Sequence, residues 1–288
     1  MSSRAKLERG LTVAISSRLL FKRSLVEAAQ LAARLGFEGL EIWAEHFWRD
    51  EERGLAEKLL RLPLKFYLHG PVADLNIASK NKKIAAVSLE ENIRAIQLAA
   101  DLEAELIVIH PGKLSFSKDD PEEYWEAQLD AIRTLARETT SRGLRLAVEN
   151  MDNRPYEFMN KPGILQRLLK EVDSEGVGIC LDFAHASSLG LVDAFIEELG
   201  NLIIHVHISN SSDEVIHLPL FKGKSNLTQV AKRFLKEYRG GITIEGRDPE
   251  NELYTVRENR RMIESILEEI MGPGATSTSA GSKRKEAK

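Results

Sequence analysis

The 288-residue chain is 43% hydrophobic and 29% charged, with a formal net charge of -4; this is the balance of a globular protein with a sizeable core, and it gives no support to polyanion binding. No apolar run approaches the roughly 18 residues of a membrane helix and the first ten residues lack the apolar centre of a signal peptide, so a cytoplasmic protein without membrane contact is expected. Cys180 is the only cysteine, which excludes an intrachain disulfide and a thiolate metal cluster, and its place inside an apolar run marks it as a packed core thiol.

In chain order, residues 11–15 read as a strand and 24–35 as a helix stopped by Gly36. A second strand, 37–43, ends near Glu41 and is followed by a helix over 51–62. Strand 64–68 runs into His69-Gly-Pro and precedes a long amphipathic helix, 82–101. Strand 106–109 ends at His110-Pro-Gly, and residues 121–142 are helical, with Pro121 suited to a first turn. Strand 144–148 ends at Glu149-Asn, with a helix over 162–172. Strand 177–181 stops at Asp182 with His185 three residues on, and a helix covers 191–199. Strand 202–206 ends at His207, with a helix over 226–238; strand 242–244 ends at Glu245, and residues 254–271 form the last helix.

Eight strand–helix units in succession imply a parallel sheet closed into a single-domain (β/α)8 TIM barrel over residues 11–271. Residues 1–10 read as an N-terminal tail and 272–288, rich in Gly, Ser and Thr before a basic end, as a disordered C-terminal tail.

In such a barrel the C-terminal ends of all strands open onto one face, where chemistry is done. Strands three to eight end in His69, His110, Glu149, Asp182, His207 and Glu245, six consecutive ends carrying donors for a divalent cation. Singly each has a bland reading: Asp182 suits a helix N-cap, and His69 or His110 a satisfied loop histidine. Together they are the strong signal, because inward carboxylates at strand ends are costly without a compensating charge. Residues two apart on a strand share a face, so if His207 points into the mouth, His205 points inward one layer deeper, as a core group or a support for a ligand. His185 and His217 fall on loops beside the mouth and are candidates for metal or substrate binding. Lys113, Arg154, Lys222, Lys224 and Arg247 follow strand ends or lie in mouth loops, where one or two can hold a phosphate.

The order His69-Gly-Pro with Asp74-Leu-Asn-Ile-Ala-Ser79, then His110-Pro-Gly, Glu149-Asn, Leu181-Asp-Phe-Ala-His185, His205-Val-His207, His217 and Ile244-Glu-Gly246 resembles the xylose-isomerase-like TIM-barrel superfamily over residues 11–271. That superfamily includes sugar and sugar-phosphate isomerases and epimerases and the DNA repair enzyme endonuclease IV. The resemblance to ketose 3-epimerases implies a metal held by Glu149, Asp182, His207 and Glu245, with the two glutamates as proton carriers and His185 on a substrate hydroxyl. The resemblance to endonuclease IV implies eight of nine zinc ligands, His69, His110, Glu149, Asp182, His185, His207, His217 and Glu245. Val215 stands where the ninth, an aspartate, belongs, which leaves His185 and His217 as the protein donors for a third ion.

The expected function is therefore a divalent-metal-dependent isomerase or epimerase of a small sugar or sugar phosphate working through an enediolate, with one or two ions, zinc or manganese ahead of magnesium. Glu149 and Glu245 are the expected catalytic residues, with His185, His217, Lys113 and Arg247 on the substrate. The alternative is an endonuclease IV-like zinc phosphodiesterase acting at abasic sites, with DNA as its partner. Oligomeric state is left open by the sequence.

Overall fold

A computed structural model describes residues 10–212, 214–223 and 227–272. The two expected tails, apart from Gly10 and Gly272, and the mouth-loop residues Asp213 and Lys224 lie outside the described residues. Eight parallel strands, β1 (Leu11–Ser16), β2 (Gly39–Trp43), β3 (Lys65–His69), β4 (Leu106–Ile109), β5 (Arg145–Glu149), β6 (Val177–Asp182), β7 (Ile203–Ile208) and β8 (Gly240–Ile244), follow one another around a closed barrel in which β1 pairs with β8. The helices are α1 (Leu25–Arg34), α2 (Ala44–Arg49), α3 (Leu55–Leu60), α4 (Lys82–Asp101), α5 (Glu122–Thr140), α6 (Pro162–Val172), α7 (Phe183–Ser188), α8 (Val192–Leu199), α9 (Gln229–Glu237) and α10 (Glu252–Met271). The expected (β/α)8 barrel is thus present. None of these helices is long and apolar enough to cross a membrane.

Two local differences from the expected elements have clear causes. The helix expected over 51–62 is shorter, because Gly54 takes a left-handed backbone (φ 79°) and α3 starts only after it, while a separate helix, α2, follows β2 directly. The helix expected over 226–238 starts at Gln229, because the Thr228 side chain caps it by accepting from the Ala231 N–H at 3.1 Å.

Strand alternation divides each strand's residues between two environments. Outward residues such as Val13, Ile15, Leu40, Ile42, Phe66, Leu68, Leu146 and Val148 belong to the large apolar layer under the helices. Inward residues form a much smaller apolar cluster, Ala14, Tyr67, Leu106, Val108, Ala147 and Cys180, with Ile204 against it. Cys180 is a buried free thiol there, as expected. Above this plug the inward positions turn polar: Glu41, His69, Glu149, Asp182, His205, His207 and Thr243 are all buried.

Glycine is required where His205 and Tyr67 crowd β8. A Cβ at Gly241 would lie 2.7 Å from both His205 Cε1 and Tyr67 Cζ, closer than real Cβ contacts. Gly163, in the first turn of α6, has open space around it. Gly241→Ala is therefore expected to lower unfolding free energy by about 1–3 kcal/mol, whereas Gly163→Ala should leave it unchanged or raise it by about 0.4–1 kcal/mol. Urea unfolding of the two variants checks this; equal effects would contradict the packing argument.

Candidate metal centre

Six strand-end residues converge as the sequence suggested. His69, Glu149 and Asp182 are the last residues of their strands, His110 and Glu245 stand one residue beyond β4 and β8, and His207 is the penultimate residue of β7. The loop residues His185 and His217 join them: His185 Nε2 is 3.1 Å from His217 Nε2. All eight residues expected to hold metal therefore border one polar chamber at the barrel mouth.

Within it the donors form overlapping groups, each with candidate ligand atoms within 4.8 Å of one another: His69, His110 and Glu149; Glu149, Asp182, His207 and Glu245; Asp182, His185 and His217; and Glu41, His69, His207 and Glu245. Glu149 links the first two, with Oε2 3.5 Å from His69 Nε2 and 3.2 Å from His110 Nε2 and Oε1 3.5 Å from His207 Nδ1. Glu245 Oε2 lies 3.4 Å from the same His207 Nδ1, so the two glutamates flank that nitrogen. The third group revises the expectation that His185 and His217 stand alone. Asp182 Oδ2 is 3.9 Å from His217 Nδ1, so that carboxylate could give the position a third donor although Val215 itself is exposed.

The donor set fits a divalent cation. Glu149 Oε2, Asp182 Oδ2 and His207 Nδ1 are buried without a hydrogen-bond partner, and each belongs to the four-residue group. Buried polar atoms are normally satisfied, so three orphans within one donor group suit a cation as their common partner. Nitrogen and carboxylate donors without thiolate suit zinc or manganese, with magnesium compatible with the carboxylates.

Backbone and side-chain acceptors set the direction of each ring. His69 Nδ1 donates to the Gly70 carbonyl at 2.8 Å and His185 Nδ1 to the Asn150 carbonyl at 2.8 Å, so both present Nε2 to the chamber. Trp43 stacks on His69 with ring centroids 4.6 Å apart and fixes its plane. Asn150 also binds β6, accepting from the Asp182 N–H at 2.7 Å. Asp182 turns out to be cap and donor at once: Oδ1 accepts from the His185 N–H at 2.6 Å to start α7, leaving Oδ2 free for a cation. His217 reaches its place through a left-handed backbone (φ 59°), a strain that a histidine tolerates better than a β-branched residue.

Before any cation enters, the two glutamates differ. Burial works against ionising Glu149, but the charges of His207 and His110 outweigh it and hold the carboxyl well below its ordinary range. Burial dominates at Glu245 and, with Glu149 and Asp182 nearby, pushes it up to about 7 despite His207. Burial likewise lowers His217 to about 4, whereas at His185 the negative charges of Asp182 and Glu149 overcome burial and raise it to about 10.

The expected substrate groups are distributed around the rim. Lys113 lines a cavity of about 150 Å³ with His110, Arg154 and Glu157. Arg154 is engaged by both Asp152 oxygens at 2.9 Å, and Lys222 is paired with Asp248 at 2.8 Å, so neither is free for an anion. Arg247 is exposed just after β8, its N–H donating to the His217 carbonyl at 3.0 Å. Sequence reasoning missed Glu41, Thr243 and Asn150. A lone glutamate in the apolar strand Leu40-Glu-Ile-Trp43 was the available signal, since a buried carboxylate needs partners.

The sequence pattern described as xylose isomerase-like TIM barrel matches residues 29–266. The uncharacterized protein MJ1311 of Methanocaldococcus jannaschii is 27% identical over 266 residues, covering 89% of this chain and 90% of that protein. A probable endonuclease 4 of Mycobacterium leprae is 27% identical over 169 residues, 56% of this chain and 63% of that protein. Among solved structures, a D-tagatose 3-epimerase-like protein superposes with a TM-score of 0.77 at 26% identity, covering 90% of this chain and 99% of that one. An L-ribulose 3-epimerase shares the fold with a TM-score of 0.76 at 19% identity, covering 90% and 95%.

The double role of Asp182 is separable. In metal-free protein Asp182→Asn should retain thermal stability, since Asn caps as well as Asp, while Asp182→Ala should lose about 1 kcal/mol. Both should weaken metal binding, as read by titration calorimetry. Unimpaired binding by Asp182→Asn would remove Asp182 from the donor set.

Proposed function

This chain belongs to the xylose isomerase-like TIM-barrel family, and we propose that it is a divalent-metal-dependent isomerase or epimerase of a small sugar or sugar phosphate. The observation that carries the reading is the pair of glutamates, Glu149 and Glu245, flanking His207 Nδ1 at 3.5 and 3.4 Å beside orphaned donor atoms. The similarity to a D-tagatose 3-epimerase-like protein supports it.

An ion held by Glu149, Asp182, His207 and Glu245 would supply Lewis acidity toward a sugar carbonyl and the adjacent hydroxyl. Glu245, a carboxylate on one side of His207 Nδ1, suits proton removal from the carbon that bears that hydroxyl. That loss leaves an enediolate. Glu149 serves the other face, so a proton returned there inverts the centre, and one returned to the neighbouring carbon isomerises the sugar. His185 and His217 border the chamber where substrate hydroxyls would lie, and Lys113 after β4 and Arg247 after β8 would orient the rest of the molecule. A second ion would be held by His69, His110 and Glu149.

A second reading rests on a specific observation. Asp182, His185 and His217 form a third donor group, and the Mycobacterium leprae protein named probable endonuclease 4 is similar over part of its length. Three metal positions would suit phosphodiester hydrolysis at abasic sites in DNA.

Glu149→Gln and Glu245→Gln should each lower turnover by about 100-fold to 10,000-fold with a far smaller change in substrate affinity. Solvent deuterium should enter the carbon-bound position of a ketose or aldose substrate. Metal-dependent nicking of an abasic duplex, with oxygen from water in the product and no carbon-bound exchange, would replace this reading with hydrolysis.

A further inference from the structure

Glu41 lies one inward position below the mouth on β2, and its carboxylate is fully buried. Among the described residues it has no lysine or arginine partner; its ion-pair partners are histidines on the far side of the barrel. Oε2 receives His205 Nε2 at 2.7 Å and the Thr243 hydroxyl at 2.9 Å. His207 Nε2 sits between the two oxygens, 3.0 Å from Oε1 and 3.2 Å from Oε2.

An ionised carboxylate only accepts hydrogen bonds, so the nitrogen facing it must carry the hydrogen. Neutral His207 is thereby fixed as the Nε2–H tautomer, with its lone pair on Nδ1. That nitrogen is the buried orphan between Glu149 and Glu245. The polarity is opposite to that of His69 and His185, which donate Nδ1–H to the Gly70 and Asn150 carbonyls and face the chamber with Nε2. Carbonyls at the ends of strands serve those two rings. His207 turns its Nε2 down into the barrel, where strand carbonyls are committed to the sheet, and only a side chain can provide the acceptor.

We propose that Glu41 is a positioning residue that holds His207 in the Nε2–H tautomer and so presents Nδ1, not Nε2, as its metal-binding atom. The inference rests on the metal-centre reading above and names a residue outside the expected ligand set. Glu41 also acts through charge, since a carboxylate behind an imidazole makes its other nitrogen a better donor to a cation. His205 and Thr243 occupy the remaining lone pairs of Oε2 and keep the carboxylate from swinging up into the ligand group it could otherwise join with His69, His207 and Glu245.

The test uses full-length protein with ¹⁵N-labelled histidine, whose seven imidazoles are few enough to assign. Loaded with ¹¹³Cd, His207 should show metal coupling at Nδ1 and a proton at Nε2. Glu41→Gln should weaken zinc binding by about 10-fold to 100-fold and mix the His207 tautomers in alkaline metal-free protein, while that protein still unfolds cooperatively. Thr243→Val removes a different donor to the same carboxylate and should change zinc affinity by less than Glu41→Gln does.

Coupling at Nε2, a His207 proton on Nδ1, or unchanged zinc affinity in Glu41→Gln would each overturn the proposal. So would equal losses from Glu41→Gln and Thr243→Val, which would indicate a packing role only. If Glu41→Gln does not fold, the attachment atom in the wild-type protein decides. If the wild-type protein takes up no divalent ion, the metal-centre reading fails separately, and the tautomer of His207 in alkaline metal-free protein still decides this proposal.

Discussion

The constraint on which the site depends is the burial of several carboxylates in one chamber. Glu41, Glu149 and Asp182 are almost wholly removed from water and Glu245 nearly so. Among the described residues their ion-pair partners are histidines, not lysines or arginines. Imidazoles can neutralise such a group only by taking up protons, and each charged ring is itself costly to bury. A divalent cation resolves both problems, because it pairs the carboxylates and lets the histidines remain neutral donors. In its absence the charges of His207 and His110 hold Glu149 low, while burial holds Glu245 high.

Much of this was legible in the sequence, for a geometrical reason. Parallel strands in a barrel end on one face, so a residue at the end of any strand can be assigned to the mouth without knowing its neighbours. His69, His110, Glu149, Asp182, His207 and Glu245 follow from that rule alone. The role of Glu41 does not, although the second strand ends near it, because its partners are 164, 166 and 202 residues away in the chain and meet it only when β2 faces β7 and β8 across the closed barrel. The double duty of Asp182 is hidden for a different reason: residue type does not show that one carboxylate oxygen caps α7 while the other stays free for a cation.

The donor groups overlap. Glu149 joins the first and second groups, and Asp182 joins the second and third. A change at either would alter two donor groups together, so any cations they hold would be coupled through the shared residues. Proton transfer at carbon can use a single Lewis-acidic cation beside a general base, and phosphodiester hydrolysis gains from several cations around the reacting oxygens.

The barrel can carry this unmatched chamber because its stability is built elsewhere. The inward apolar plug is small, limited to residues such as Tyr67, Leu106, Val108 and Cys180, whereas the apolar layer between strands and helices runs around the whole barrel. Successive residues of one strand therefore answer to different demands: Leu40 and Ile42 pack outward, and Glu41 between them serves the chamber. At about 25 cal/mol per Å² of buried apolar surface, the outer layer can offset several kcal/mol of polar burial inside. A bound cation would add to that stability through mass action. Cation binding and folding are then linked most strongly where one residue belongs to both, at Asp182, whose carboxylate starts α7 with one oxygen and faces the donor group with the other.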